Sequence, residues 1–314
     1  MKRILVIGSF MMDLVAKTPR VPVEGETIRG ISFSQFTGGK GANQAVAASK
    51  LGGDVTMLGK LGKDQFGEAH MNSLKEYKVN SKYILRDEFE STGIGFITLE
   101  VSGKNRIIII PGANLKLTSE DIEAHEQLIK ECDILILQLE IPLESTYKAM
   151  DLAYKYKKTI IFNPAPYMDF EKTYLSKLTY IVLNEVEARE CTGIEVVGRQ
   201  SAKEAAESLL IRGCKNIIIT MGEKGVYFLN KDNEYFIESR KVDVVDTTGA
   251  GDEFIGSFAY GIGNDWTIHD SLQFANVSSA LAVTKMGTQP SLPYYHEVVD
   301  FIKENASELI NLVE

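Results

Sequence analysis

The chain has 314 residues, 44% of them hydrophobic and 25% charged, the balance of a folded protein with a sizeable core; disordered, collagen-like and disulfide-scaffold classes are excluded. Forty-three acidic against 34 basic residues leave a formal charge of -9, a field that repels nucleic-acid backbones and anionic lipid headgroups. A local site for a small anion stays open, because backbone amides and one or two lysines build it without altering the total.

The length exceeds one small core and falls short of two average domains with linkers, so a single large α/β domain with a smaller appendage is expected. The opening MKRILVIG is basic then apolar, but too short and without a cleavage pattern for a signal peptide; its ILVIG (4–8) reads as a first strand. Residues 14–37 alternate apolar and polar side chains around Gly and Pro turns, as strands with one wet face do. The segment 89–110, ending in IIII (107–110), does the same, so the two are expected to pair as a small sheet projecting from the main domain as a discontinuous lid.

From Ile134 onward the pattern changes. ILILQLE (134–140), TIIFN (159–163), YIVLNE (180–185) and NIIIT (216–220) are near-continuously apolar and separated by amphipathic segments, as parallel strands buried on both faces are. A doubly wound, mostly parallel sheet flanked by helices follows. No run of about 18 to 20 uncharged apolar residues occurs, which excludes a membrane helix and makes the cytoplasm the expected location. Cys132, Cys191 and Cys214 are widely spaced without a CxxC pair and read as buried small hydrophobes; His70, His125, His269 and His296 are scattered and support neither a metal site nor a triad.

Three constellations carry chemistry. In Gly38, Gly39, Lys40, Gly41, Ala42 and Asn43, small residues allow a tight turn into a closely packed helix, with Lys40 and Asn43 where free N–H groups point. Glycines alone would mean packing; the added Lys and Asn point to a polar or anionic ligand. In DTTGAGD (246–252), adjacent glycines at a helix start let amides converge on one oxygen, and Asp252 beside them suits taking a proton from an alcohol during phosphoryl transfer. Taken alone, Asp252 is equally a favourable first-turn acid. Asp13, Glu140, Asn184 and Glu187 fall at strand ends, where doubly wound sheets bind ligands, although each singly also reads as a cap or a solvated turn. Neither GxxxxGK[ST] nor GxGxxG is present.

With GSFMMD, GGKGANQAVAA, ESTG, GAN, LQLEIPLES, NPAP, LNEVEA, ITMGEKG, VVDTTGAGDEF and AVTKMGTQPSLP in this order, the chain resembles the ribokinase, or PfkB, family of ATP-dependent sugar kinases nearly end to end. The resemblance implies that Asp252 is the base that deprotonates the sugar 5-hydroxyl and that the amides of Gly249, Ala250 and Gly251 form the anion hole. It implies sugar contacts from Asp13, Gly39, Lys40, Asn43 and Glu140. Asn184, Thr220, Gly222, Gly225, Gly251 and Asn276 fall at nucleotide-binding positions, and Glu187 at that of the acid organising Mg²⁺. Asp246, Thr248, Ala282, Lys285, Gly287 and Ser291 match the loop around a monovalent cation, usually K⁺. The family's lids often pair between subunits, which implies a homodimer with Ile31 and Phe33 as candidates for cover.

Two departures stand out. Ribokinases proper usually have Asn two residues before the sugar-binding Asp; here Met11 offers an apolar surface, and a sugar hydroxyl facing it loses its partner. The deoxyribokinase branch resembles this chain at that position, so 2-deoxy-D-ribose is the expected substrate, with D-ribose the alternative and another sugar or a nucleoside more distant. Glu253, directly after Asp252, adds a negative charge near the phosphoryl path that is unfavourable unless its side chain points away, and it is assigned no catalytic role.

Overall fold

The computed structural model describes residues 1–312. Its strands are β1 (Arg3–Ile7), β2 (Met11–Thr18), β3 (Ser32–Gly38), β4 (Asp54–Leu58), β5 (Lys60–Gly62), β6 (Leu85–Asp87) and β7 (Gly93–Glu100), followed by β8 (Asn105–Ile110), β9 (Ile134–Leu137), β10 (Thr159–Phe162), β11 (Tyr180–Asn184), β12 (Asn216–Thr220), β13 (Val226–Asn230) and β14 (Glu234–Ile237). The large sheet runs β14-β13-β12-β11-β10-β9-β1-β4. It is parallel from β12 to β4, and the β12–β13 and β13–β14 pairings at one edge are antiparallel.

Alternate residues of each parallel strand feed two separate cores. Leu5, Ile7, Leu135 and Leu137 pack against the helices Leu143–Lys155 and Arg199–Ile211, while Ile4, Val6, Ile134 and Ile136 face Lys40–Lys50, Ala250–Gly263 and Ile268–Ala282. Both faces being covered is why the strands read as continuous apolar runs. All three cysteines are buried and free, as expected. The short β4 and the β13–β14 hairpin were not anticipated from the sequence.

The second sheet, order β3-β2-β7-β8, forms from the two alternating segments. It begins at Met11 rather than near residue 14, so Asp13 lies within a strand of this sheet and not at the open end of β1. Glycines let its site-side chains lie flat: a Cβ at Gly93 would sit 2.7 Å from Met11 Sδ, and one at Gly95 2.7 Å from Asp13 Oδ1. Among the described residues no helix is long and apolar enough to cross a membrane.

Candidate active site

The helix Ala250–Gly263 starts at Gly249, whose φ of 83° is in the left-handed region, and puts Asp252 in its first turn. A Cβ at Gly251 would meet nothing within 4 Å, so packing does not require glycine there; open space in front of the amides does. The Asp252 carboxylate is buried, and each oxygen accepts an amide hydrogen bond: Oδ2 from Asn43 Nδ2 and Oδ1 from Gln44 Nε2, both at 2.9 Å.

Those amides come from the helix Lys40–Lys50, and glycines let it approach so closely. Gly39 has φ 89°, and a Cβ there would lie 2.6 Å from Met11 N; at Gly41 it would lie 2.5 Å from Ser9 N. The packing reading of this loop therefore holds, and the same turn leaves Lys40 on the wall of a cavity. Behind Asn43, its Oδ1 accepts from Gln289 Nε2 at 3.3 Å, and Gln289 Oε1 accepts from Thr37 in β3 and from Ser73, each at 2.6 Å. A chain of polar groups thus runs from the second sheet to Asp252.

Lys40 stands among four carboxylates. Burial opposes its charge, but Asp252, Glu140, Glu187 and Asp13 outweigh that and raise its pKa. Glu140, half-buried with its pKa raised mainly by desolvation, accepts from Ser9 Oγ and, at 2.9 Å, from Lys40 N. Asp13 is pushed up to about 7, chiefly by burial and then by the charge of Glu140, against a hydrogen bond from Thr288.

A cavity of about 220 Å³ is lined by Lys40, Asn184, Glu187, Thr220, Gly249 and Asp252, among others. Asn184 caps the helix Glu185–Thr192 in a reciprocal pair with Glu187: Glu187 N donates to Asn184 Oδ1 at 2.8 Å, and Asn184 N to Glu187 Oε2 at 3.0 Å. The cap reading of these two residues holds locally, and both also line the cavity. Burial raises the Glu187 pKa. Gly222, Gly225 and Asn276 do not line this cavity; a Cβ at Gly225 would lie 2.0 Å from Ile237 O, and Asn276 Nδ2 donates to Glu238 O at 2.8 Å.

Asp246 ties two loops together, accepting from Thr248 N at 3.0 Å and Gly287 N at 3.2 Å. The Lys285 ammonium pairs with Glu297, and Ser291 Oγ donates to Thr288 O at 2.8 Å. Ala282 O accepts from Lys285 N at 3.3 Å. Glu253 does point away: it is fully buried, accepts from Ser257 and Ser278 at 2.6 and 2.5 Å, and is pushed up to about 7 by desolvation. Sequence reasoning missed Gln44, Gln138, Asn163, Thr288 and Gln289 as members of the site. Gln44 directly follows Asn43 and Asn163 lies in the quoted NPAP, but an amide declares its partners only in three dimensions.

A family model, pfkB family carbohydrate kinase, matches residues 1–294. The chain belongs to this family. The kinase is 38% identical to the deoxyribokinase of Salmonella typhi over 303 residues, 96% of this chain and 99% of the relative. It is 39% identical to the ribokinase of Schizosaccharomyces pombe over 308 residues, 95% and 97% of the two chains. The structure of Arabidopsis thaliana ribokinase complexed with ribose and ATP is similar at a TM-score of 0.89 and 28% identity, covering 96% of this chain and 99% of that one. The kinase is therefore a phosphotransferase with an alcohol acceptor, a sugar kinase of the ribokinase type.

Proposed function

We propose that this kinase transfers the γ-phosphoryl group of ATP to the 5-hydroxyl of a pentose, with 2-deoxy-D-ribose preferred to D-ribose. The observation that carries the reading is Asp252: a buried carboxylate oriented by two amides, in the first turn of a helix whose glycines leave open space, facing the cavity that Lys40 lines. In this reading Asp252 takes the hydroxyl proton as the oxygen attacks phosphorus. The amides of Gly249, Ala250 and Gly251, with the Lys40 ammonium, stabilise charge on the transferring group. Asp13, Gly39, Asn43 and Glu140 hold the sugar hydroxyls, and Asn184, Thr220, Gly222, Gly225 and Asn276 hold the nucleotide.

The donor set fits both ions. Glu187 keeps a carboxylate on the cavity wall for Mg²⁺, which when bound neutralises charge on the phosphate oxygens. Asp246 already joins the 248 and 287 loops where K⁺ would order the anion hole, with Thr248, Ala282, Lys285, Gly287 and Ser291 around it. The second sheet acts as a lid of one 314-residue kinase domain. A homodimer forms through that lid, and the enzyme works in the cytoplasm.

Asp252→Asn is expected to lower kcat by at least about 100-fold while leaving sugar binding intact; substantial surviving turnover removes the base assignment. The sugar preference rests on Met11, which shares a sheet face with Asp13 and is buried. Leaving a ribose hydroxyl unpaired against it costs about 1 to 3 kcal/mol, or roughly 5- to 150-fold in kcat/KM. Steady-state comparison of deoxyribose, ribose, fructose and adenosine checks this, and Met11→Asn narrows the gap. Ribose leading in the parent, with Met11→Asn changing nothing, would assign the enzyme to D-ribose instead.

A further inference from the structure

Gln44 is fully buried one residue beyond the sugar-loop Asn, and its amide faces the reacting carboxylate rather than the core. Asp252 accepts hydrogen bonds on every edge when ionised, so Gln44 must present Nε2 to it and turn Oε1 the other way. There Gln138 Nε2 donates to Gln44 Oε1 at 2.6 Å, which fixes the second amide in turn. Asn163 Oδ1 lies 3.4 Å from Gln44 Nε2 as a weaker second acceptor.

The far end of this chain is left unsatisfied. Gln138 Oε1 is buried without a hydrogen-bond partner, and it sits where a Cβ on Gly8 would come within 2.1 Å. Amides placed only to satisfy a core would not end on an unpaired carbonyl pressed against a glycine. In this chain the satisfied member is the carboxylate. An amide donor on each oxygen stops the group rotating and leaves a lone pair on each oxygen for the substrate proton.

We infer that Gln44, aimed by Gln138, is a positioning residue that holds the Asp252 carboxylate oriented for proton abstraction. The inference rests on the reading of Asp252 as the base. The charged groups around that carboxylate are Lys40 on the same helix as Gln44, Asp13 on β2, Glu140 after β9, Glu187 at the start of the helix Glu185–Thr192, and the buried Glu253 beside it. All remain in the Gln44 variants below, so a loss in kcat with sugar KM preserved reports the lost amide.

The test uses the full-length enzyme with Gln44→Met and Gln44→Glu, and Asp252→Asn as reference. Gln44→Met is expected to lower kcat by about 10- to 100-fold, with the sugar KM within about threefold. Gln44→Glu replaces the amide donor with an acceptor that repels the Asp252 oxygen, and is expected to lower kcat at least as far as Gln44→Met. Calorimetric sugar binding should match the parent in both. Should Gln44→Met fail to fold, Gln138→Met frees the Gln44 amide and is expected to cost about 3- to 10-fold in kcat alone. Turnover within about twofold of the parent, or a loss confined to KM, overturns the inference while an inactive Asp252→Asn still upholds the base. An active Asp252→Asn overturns both.

Discussion

The two sheets are built from the same residues and treated in opposite ways. Ile134–Leu137 in β9 and Ile107–Ile110 in β8 are both runs of four aliphatic side chains, yet the first is at 0% exposure and the second at 49–64%. Position explains it: β9 lies inside the eight-stranded sheet with helices on both faces, whereas β8 is the edge of a four-stranded sheet. The polar groups follow the same division. Glu140 and Asp252 at the large sheet already have their hydrogen-bond donors, while Asp13 on the small sheet carries a burial cost that its Thr288 contact only partly offsets. One side of the site is complete in the free chain, and the other is shaped for partners that arrive.

The strand register says which partner meets which face. Asp13 is directly opposite Phe36 on one side and Gly95 on the other, so these point toward the site. The neighbouring rank puts Gln35, Leu14, Phe96 and Ile108 on the outer face, and Phe33, opposite Ala16, shares that face; Phe33, Phe96 and Ile108 are 58%, 44% and 64% exposed. An apolar outer face ending in an open edge strand favours association. If a second copy covers it, replacing Phe96 and Ile108 together by Lys should weaken dimerisation by more than about 100-fold. Sedimentation velocity reads this directly, and a parent enzyme that is monomeric at working concentration breaks the comparison at its root.

Legibility in the sequence divides along the same line. The parallel strands could be read because burial on both faces leaves an uninterrupted apolar run, and the turns at Gly39 and Gly249 because positive φ and close backbone approach demand glycine. The alternating segments also gave the second sheet, but not its start at Met11, since MMDLVAKT lacks a clean alternation where it passes from the core to the site. Asp13, Lys40, Asn43, Glu140 and Asp252 do meet, whereas Asn276 and the 222–225 turn stand outside the cavity that holds Asn184 and Glu187. What could not be read was the surrounding amides: Gln44, Gln138 and Gln289 are ordinary in sequence, and only their orientation toward a carboxylate, a neighbouring amide or a hydroxyl of the second sheet distinguishes them.

A smaller effect tests the uncompensated half from inside the site. Asp13 has a folded pKa of about 7 against an ordinary value of 3.8, because burial and the Glu140 charge both disfavour its ionised form. The folded state therefore binds the extra proton between those values, and this residue makes the protein less stable as pH rises from about 4 to 7, with no further change above. Asp13→Asn removes the titration. Its melting temperature should equal the parent's near pH 4 and exceed it by about 2 to 5 °C at pH 8, while sugar affinity falls. Thermal melts across this range check the sign, and an Asn variant less stable than the parent at pH 8 would mean that Asp13 is held by donors as fully as Asp252 is.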